Sequence, residues 1–366
     1  MLDNYYTTAD YAKCNSEFPK KVELHVHLDG TITHKTAWEL VRSKQLPLPG
    51  NGTYEDFSKA LLITEPESLH HFLSPYKYIT PAYAGDMAAN ERIAYEYCMN
   101  AAKDNIIYAE VRFSPHKSLG EKEYNRLGFA GLEAVVEAVI RGIERGEKDF
   151  GITVKVLLTA YYGWSYGDQF EVLKLCQKYD KVVGMDLCTK QPDNGVSDEA
   201  PVTAELLFLF EEAKKTGVKT TIHAGEASGP KAIERAKDYY RCDRIGHGYH
   251  AVQDPVIYKS CLEEKIHLEC CPWSSLLTAA VKPSDSHRKH PIVRFAEDEA
   301  NFSLNSDDPT FTGKFINGDF ILAQSWGLTK EQISQSILNA ALASFLPENE
   351  KSKLVKEIAS TYHLKY

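Results

Sequence analysis

The feature that most restricts the fold of this chain is a rhythm. Short apolar runs alternate with longer stretches of helical apolar spacing along most of its 366 residues. The runs fall at Lys21 to Gly30, Ile106 to Ser114, Ile152 to Ala160, Val182 to Cys188, Lys219 to Glu226, Arg244 to Gly248, Ile266 to Pro272 and Phe302 to Asp308. Between them lie helical patterns such as Leu132 to Arg145, Asp168 to Tyr179, Thr203 to Thr216, Lys231 to Tyr240 and Pro255 to Lys265. Strands separated by helices pair in parallel, and eight such units suggest closure of the sheet on itself. The expected fold is α/β: a (β/α)8 TIM-like barrel in one domain over 1–366. Extra helices are expected after the first strand and at the C-terminus, where Leu328 to Leu364 reads as two amphipathic helices. The segment between the first two runs is unusually long. It holds a Pro- and Gly-rich loop from Leu46 to Thr53, then helical stretches at Tyr54 to Leu61, Ser68 to Ile79 and Gly85 to Asp104. Such an insertion on a barrel is a candidate lid or substrate wall.

The first run carries the sharpest chemical pattern. On a strand, Val22, Leu24, Val26 and Leu28 share one face, and Glu23, His25, His27 and Asp29 the other. His25 and His27 can therefore aim at a common point. In a parallel barrel, function gathers at the C-terminal ends of the strands. Polar residues collect there: His223 and Glu226 after the fifth run, His247 between Gly246 and Gly248 in the sixth, and Asp307 with Asp308 after the eighth. Each has a plain structural reading. His223 fits a hydrogen-bonded core histidine, and Glu226 a helix cap. Asp307 and Asp308 before Pro309 fit a helix start with proline at its first position. The glycines around His247 remove bulk and let another group approach closely. Together, three histidines and a carboxylate form a mixed nitrogen and oxygen set suited to zinc. A fourth histidine and two further carboxylates remain for proton transfer.

Composition narrows the partners. The net charge of −9 argues against nucleic acid and anionic membranes, both of which favour basic surfaces. A basic-then-apolar leader and an eighteen-residue apolar run are both missing from the sequence, so a cytoplasmic protein is expected. The eight cysteines include no C-x-x-C pair and read as buried free thiols, with Cys270 and Cys271 as core filler.

Five motifs in order, His25-Val-His-Leu-Asp-Gly30, His223-Ala-Gly-Glu226, Arg244-Ile-Gly-His-Gly-Tyr-His250, Cys271-Pro-Trp-Ser-Ser275 and Ser303-Leu-Asn-Ser-Asp-Asp-Pro309, closely resemble the adenosine deaminase family of metal-dependent hydrolases. The resemblance runs from about Lys20 to the C-terminus. It implies a zinc enzyme with one Zn²⁺ per chain, deaminating adenosine and 2′-deoxyadenosine in purine salvage; a monomer is expected. It implies His25, His27, His223 and Asp307 as metal ligands. Glu226 is implied as proton donor to purine N1, His247 as the group that polarises water, and Asp308 as its orienter and a contact to N7. His27, Asp29, Thr189 and Asp308 are implied as substrate contacts, with Asp29 on a ribose hydroxyl and Phe72, Leu73 and Tyr76 as an apolar wall. One stretch departs from the family pattern. Relatives read Asp-Leu-x-Gly-x-Glu where this chain reads Asp186-Leu-Cys-Thr-Lys-Gln191, which places a β-branched Thr189 at the glycine. The alternative is therefore a modified purine nucleoside, such as 5′-methylthioadenosine or a 6-substituted purine. A binuclear site would want a lysine at the end of the fourth run, and none precedes Lys190.

Overall fold

Eight runs rich in Val, Ile and Leu become strands that pair in parallel and in chain order. They are β1 (Lys21–His27), β2 (Ile106–Phe113), β3 (Thr153–Tyr161), β4 (Val182–Cys188), β5 (Lys219–Ala224), β6 (Arg244–His247), β7 (His267–Cys270) and β8 (Phe302–Leu304). This is the expected (β/α)8 barrel, seen in a computed structural model that describes residues 6–188, 201–281 and 290–366. Several strands stop short of their apolar runs. β5 ends before Glu226 and β8 before Asp307, so these residues sit on the turns that leave the strands.

The barrel closes through an irregular seam. Val26 bridges Asp307, with His27 N donating to Asp307 O at 2.8 Å and Asp307 N to His25 O at 3.1 Å. Lower down, the Asn305 side chain replaces a strand partner. Its Oδ1 accepts from Leu24 N at 2.8 Å and from His25 N at 3.1 Å. The β1–β2 register shifts between Glu23 and Val26. Such a bulge re-aims side chains, so the simple alternation expected from β1 does not hold. Glu23 leaves the histidines, accepting from Tyr97 Oη at 2.8 Å and Ser306 Oγ at 2.6 Å. Leu28 and Asp29 belong to a tight turn, Leu28–Thr31, beyond the strand.

The insertion folds into helices Tyr54–Leu61, Leu69–Leu73, Tyr76–Tyr83 and Met87–Lys103. The stretch expected as one helix from Ser68 to Ile79 breaks at Ser74-Pro75: Ser74 keeps helical backbone, but Pro75 has no N–H with which to continue the hydrogen-bond ladder. The two C-terminal helices appear at Lys330–Ala343 and Glu348–Tyr362, and the first packs across β8 and β1. A helix at Thr8–Glu17, not anticipated from the sequence, is closed by a capping box between Thr7 and Asp10. No helix among the described residues is long and apolar enough to cross a membrane.

Met87–Lys103 packs closely on Phe129–Phe150, and Gly142 makes the approach possible. A Cβ at Gly142 would lie 2.2 Å from Glu91 O and 2.9 Å from Ala94 Cβ. Helix propensity alone would favour alanine there by about 0.5–1 kcal/mol. The contact with backbone outweighs that gain, since overpacking typically costs about 1–3 kcal/mol. Gly142→Ala is therefore expected to lower the unfolding free energy in a urea titration; an increase would show that the helices have room to part.

Candidate active site

The strand ends bring the expected residues to one place. His25 Nε2 and His27 Nε2 each lie 3.4 Å from Asp307 Oδ1, and His27 Nε2 lies 3.2 Å from His223 Nε2. The donor atoms of His25, His27 and His223 all lie within 4.8 Å of one another. His247 packs its ring against His25 and His223, with centroids 4.6 and 5.2 Å apart. Its Nε2 is 3.5 Å from Glu226 Oε2.

The orientation of two imidazoles is set from behind. His25 Nδ1 lies 2.7 Å from Glu269 Oε2, and His223 Nδ1 lies 3.0 Å from Asp186 Oδ1. With Nδ1–H given to a carboxylate, each ring turns its Nε2 lone pair toward the cluster. One guanidinium serves both carboxylates. Arg112 donates to Glu269 Oε2 at 2.7 Å and stands 3.3 Å from Asp186 Oδ1. Arg244 Nε and Thr221 Oγ1 donate to the other Glu269 oxygen at 2.7 and 2.9 Å. Glu269, Arg112, Asp186 and Arg244 are all buried inside the barrel.

The arrangement fits a cation. Lone pairs of three imidazoles and one carboxylate converge, and His25 Nε2 is buried without a hydrogen-bond partner among the described residues. Burial holds His27 and His247 well below the ordinary histidine range, which favours neutral imidazoles. Burial pushes the Asp307 carboxyl up, but His25, His247 and His27 outweigh it and hold the group well below its usual value. Asp308 is driven the other way, by burial and by the charge of Asp307.

The plain structural readings of the carboxylates do not survive the geometry. Asp308 does occupy the start of the Pro309–Thr312 helix, but its side chain makes no cap hydrogen bond. The helix after Glu226, Pro230–Glu234, has Gly229 at its N-cap and also no side-chain cap. Both carboxylates instead border a cavity of about 390 Å³. His27, His223, His247 and Asp307 line its floor, and Leu69, Phe72, Leu73 and Tyr76 of the insertion line its wall. The glycines around His247 have a specific reason at Gly246, where a Cβ would sit 3.0 Å from His25 Cε1. His247 and Asp307 both have left-handed backbone, with φ of +66° and +60°. Such conformations are rare outside glycine and cluster at functional sites.

Not every expected residue reaches the cavity. Asp29 lies behind the lining, where it accepts from Tyr83 Oη at 3.2 Å and borders a separate small void. Thr189 and Gln191 lie outside the described residues. Conversely, Lys117, Tyr161 and Cys188 line the cavity without having been singled out, with Lys117 Nζ 3.7 Å from the Tyr161 ring centre. Cys271, read as core filler, is buried, but its sulfur also stands within 4.8 Å of donor atoms of His25, His247 and Asp307. All eight cysteines are free and buried, as expected.

A closed parallel barrel that gathers imidazoles and carboxylates beside a cavity at its strand ends is the arrangement of the metal-dependent hydrolases. The family model of adenosine deaminase matches residues 19–361. The adenosine deaminase of Xenopus laevis is 40% identical over 357 residues, covering 93% of this chain and 95% of its own. That of Mus musculus is 38% identical over 353 residues, covering 93% and 97%. The crystal structure of an adenine deaminase from Arthrobacter aurescens superposes with a TM-score of 0.79 at 22% identity, covering 94% of this chain and 99% of that one, and is a likeness of fold. The chain belongs to the adenosine deaminase family.

The buried network gives a direct stability test. Glu269→Ala would leave Arg112 and Arg244 short of a counter-charge inside the barrel. Breaking a buried pair from one side typically costs about 3–5 kcal/mol. A loss of that order in denaturant unfolding is expected, with a smaller loss for Glu269→Gln. Stability of the alanine variant within about 1 kcal/mol of wild type, the size of a typical point substitution, would contradict the assigned role.

Proposed function

We propose that this chain deaminates adenosine and 2′-deoxyadenosine hydrolytically, giving inosine and 2′-deoxyinosine with ammonia, in purine salvage. The observation that carries the reading is the meeting of His25, His27, His223 and Asp307 beside Glu226, His247 and Asp308, in a chain of this family. Those first four residues would hold one Zn²⁺. A zinc ion held there would lower the pKa of water to about 7, so that hydroxide would be available at neutral pH.

The remaining steps belong to the protein. His247 takes the proton of the attacking water, a role suited to an imidazole held neutral by burial. Asp308 orients that water and contacts purine N7. Attack at C6 pushes electron density onto N1, and Glu226 delivers a proton there, which avoids an anionic ring. His247 passes its proton to the C6 amine, which leaves as ammonia, and the C6 hydroxyl gives up its proton to restore Glu226 as the C6 carbonyl forms. His27, with Thr189 from outside the described residues, completes the expected substrate contacts; Asp29, held against Tyr83 behind the cavity lining, is not counted among them. The apolar wall of Leu69, Phe72 and Leu73 excludes bulk water from the reacting atoms.

Adenosine is favoured over the modified purines by relatives that match nearly end to end at 36–40% identity. The partner is a small purine nucleoside, without nucleic acid or membrane. We assign the chain to the cytoplasm as a monomer.

The proton-donor assignment is tested with Glu226→Gln, which keeps size and polarity but removes the titrating oxygen. Its kcat for adenosine should fall by roughly 10²–10⁴ while metal content stays at the wild-type level. A variant that deaminates at the normal rate sinks the assignment.

A further inference from the structure

One hydrogen bond ties the insertion to the candidate active site. The phenol of Tyr76, at the start of helix Tyr76–Tyr83, donates to Asp308 Oδ1 at 2.7 Å. Among the described residues this is the one side-chain hydrogen bond that Asp308 makes. The same oxygen also stands close to Gly30: a Cβ there would come within 1.9 Å of it. Asp308 Oδ1 is thus held by a phenol from the insertion, close to the bare α-carbon of the turn after β1. The Tyr76 ring is itself seated edge-on against Phe311, three residues beyond Asp308, with centroids 4.7 Å apart. The same segment is tied once more to the insertion and once to the helix that precedes it. Ile63 N donates to Phe311 O at 2.9 Å, and His34 Nε2 contacts Thr310 O at 2.8 Å.

We propose that Tyr76 is a positioning residue: its hydroxyl fixes the Asp308 carboxylate, so that Asp308 addresses the substrate only while the insertion is docked. The proposal rests on the function assigned to Asp308 above and goes beyond the apolar wall expected of Tyr76. As a wall residue, Tyr76 needs only its ring. As a positioning residue, it needs the oxygen. With Oδ1 committed to the phenol, one carboxylate oxygen is oriented for water and N7 at no cost in rotamer freedom during the reaction. The insertion thereby becomes part of the catalytic apparatus, since any movement that lifts Tyr76 from Phe311 also releases Asp308.

The test compares Tyr76→Phe with Tyr76→Leu, each alone and combined with Asp308→Asn, in full-length metal-loaded protein. Removing the phenol hydroxyl leaves a buried carboxyl oxygen without its partner, so Tyr76→Phe should lose roughly 10- to 100-fold in kcat/KM for adenosine. Most of the effect of Tyr76→Leu should already be present in Tyr76→Phe. In the Asp308→Asn background, Tyr76→Phe should cost no more than about twofold, because the two residues act as one unit. Full activity in Tyr76→Phe, or equal losses in both backgrounds, overturns the proposal and leaves Tyr76 as wall. A crystal structure of Tyr76→Phe supplies a readout independent of turnover. A rotated Asp308 carboxylate supports the proposal, and one unmoved to within coordinate error overturns it. If wild-type protein releases no ammonia from adenosine, the functional reading fails, and the Asp308 rotamer still decides the positioning role.

Discussion

The arrangement hangs on one buried guanidinium. Arg112 reaches from β2 across the barrel interior to Glu269 on β7 and to Asp186 on β4, and those carboxylates turn the imidazoles of His25 and His223. A barrel interior is normally packed with branched apolar side chains. Here its middle is a charged lattice, completed by Arg244, Glu110 and Thr221. Desolvating these groups is expensive, and an apolar replacement of the same volume would often be as stable or more so. What the lattice supplies instead is orientation. It fixes which nitrogen of each histidine carries the proton and where the other nitrogen points, a common arrangement behind metal-ligating histidines.

The sequence made much of this visible. Strand ends could be read because a parallel barrel puts its function there, so His25, His27, His223, His247, Glu226, Asp307 and Asp308 were found from their places on eight apolar runs. The supporting network was not visible. Arg112, Asp186 and Glu269 sit inside strands, where a lone charged residue has no sequence spacing to link it to a partner on another strand. Asn305 at the seam is equally silent, since only closure of the sheet makes its side chain a substitute for backbone. The β1 face pattern holds for His25 and His27 and fails at Glu23 for a local reason: the bulge between Glu23 and Val26 breaks the two-residue period on which the reading depended. The helix break at Ser74-Pro75 followed a known rule, but helical spacing on both sides concealed it.

Glycine and strained backbone carry a second layer of the design. At Gly246 the missing side chain admits the His25 ring, and at Gly30 it admits the Asp308 carboxylate. His247 and Asp307 accept left-handed backbone in the same few turns. These conformations cost free energy, and they persist because the surrounding hydrogen bonds over-determine them. The Asp307 backbone makes two of these bonds itself, to His25 and His27, so the residue that closes the barrel also stands within the candidate cation site. Fold closure and chemistry meet at one residue.

The central claim is that His25, His27, His223 and Asp307 share a single divalent ion. Elemental mass spectrometry of the purified wild-type protein and of a His25→Ala/His223→Ala variant tests it most directly. The expected result is close to one zinc per chain in the wild type and almost none in a variant that retains its helical circular-dichroism signal. Stoichiometric metal retained by that variant would place the ion elsewhere and contradict the account.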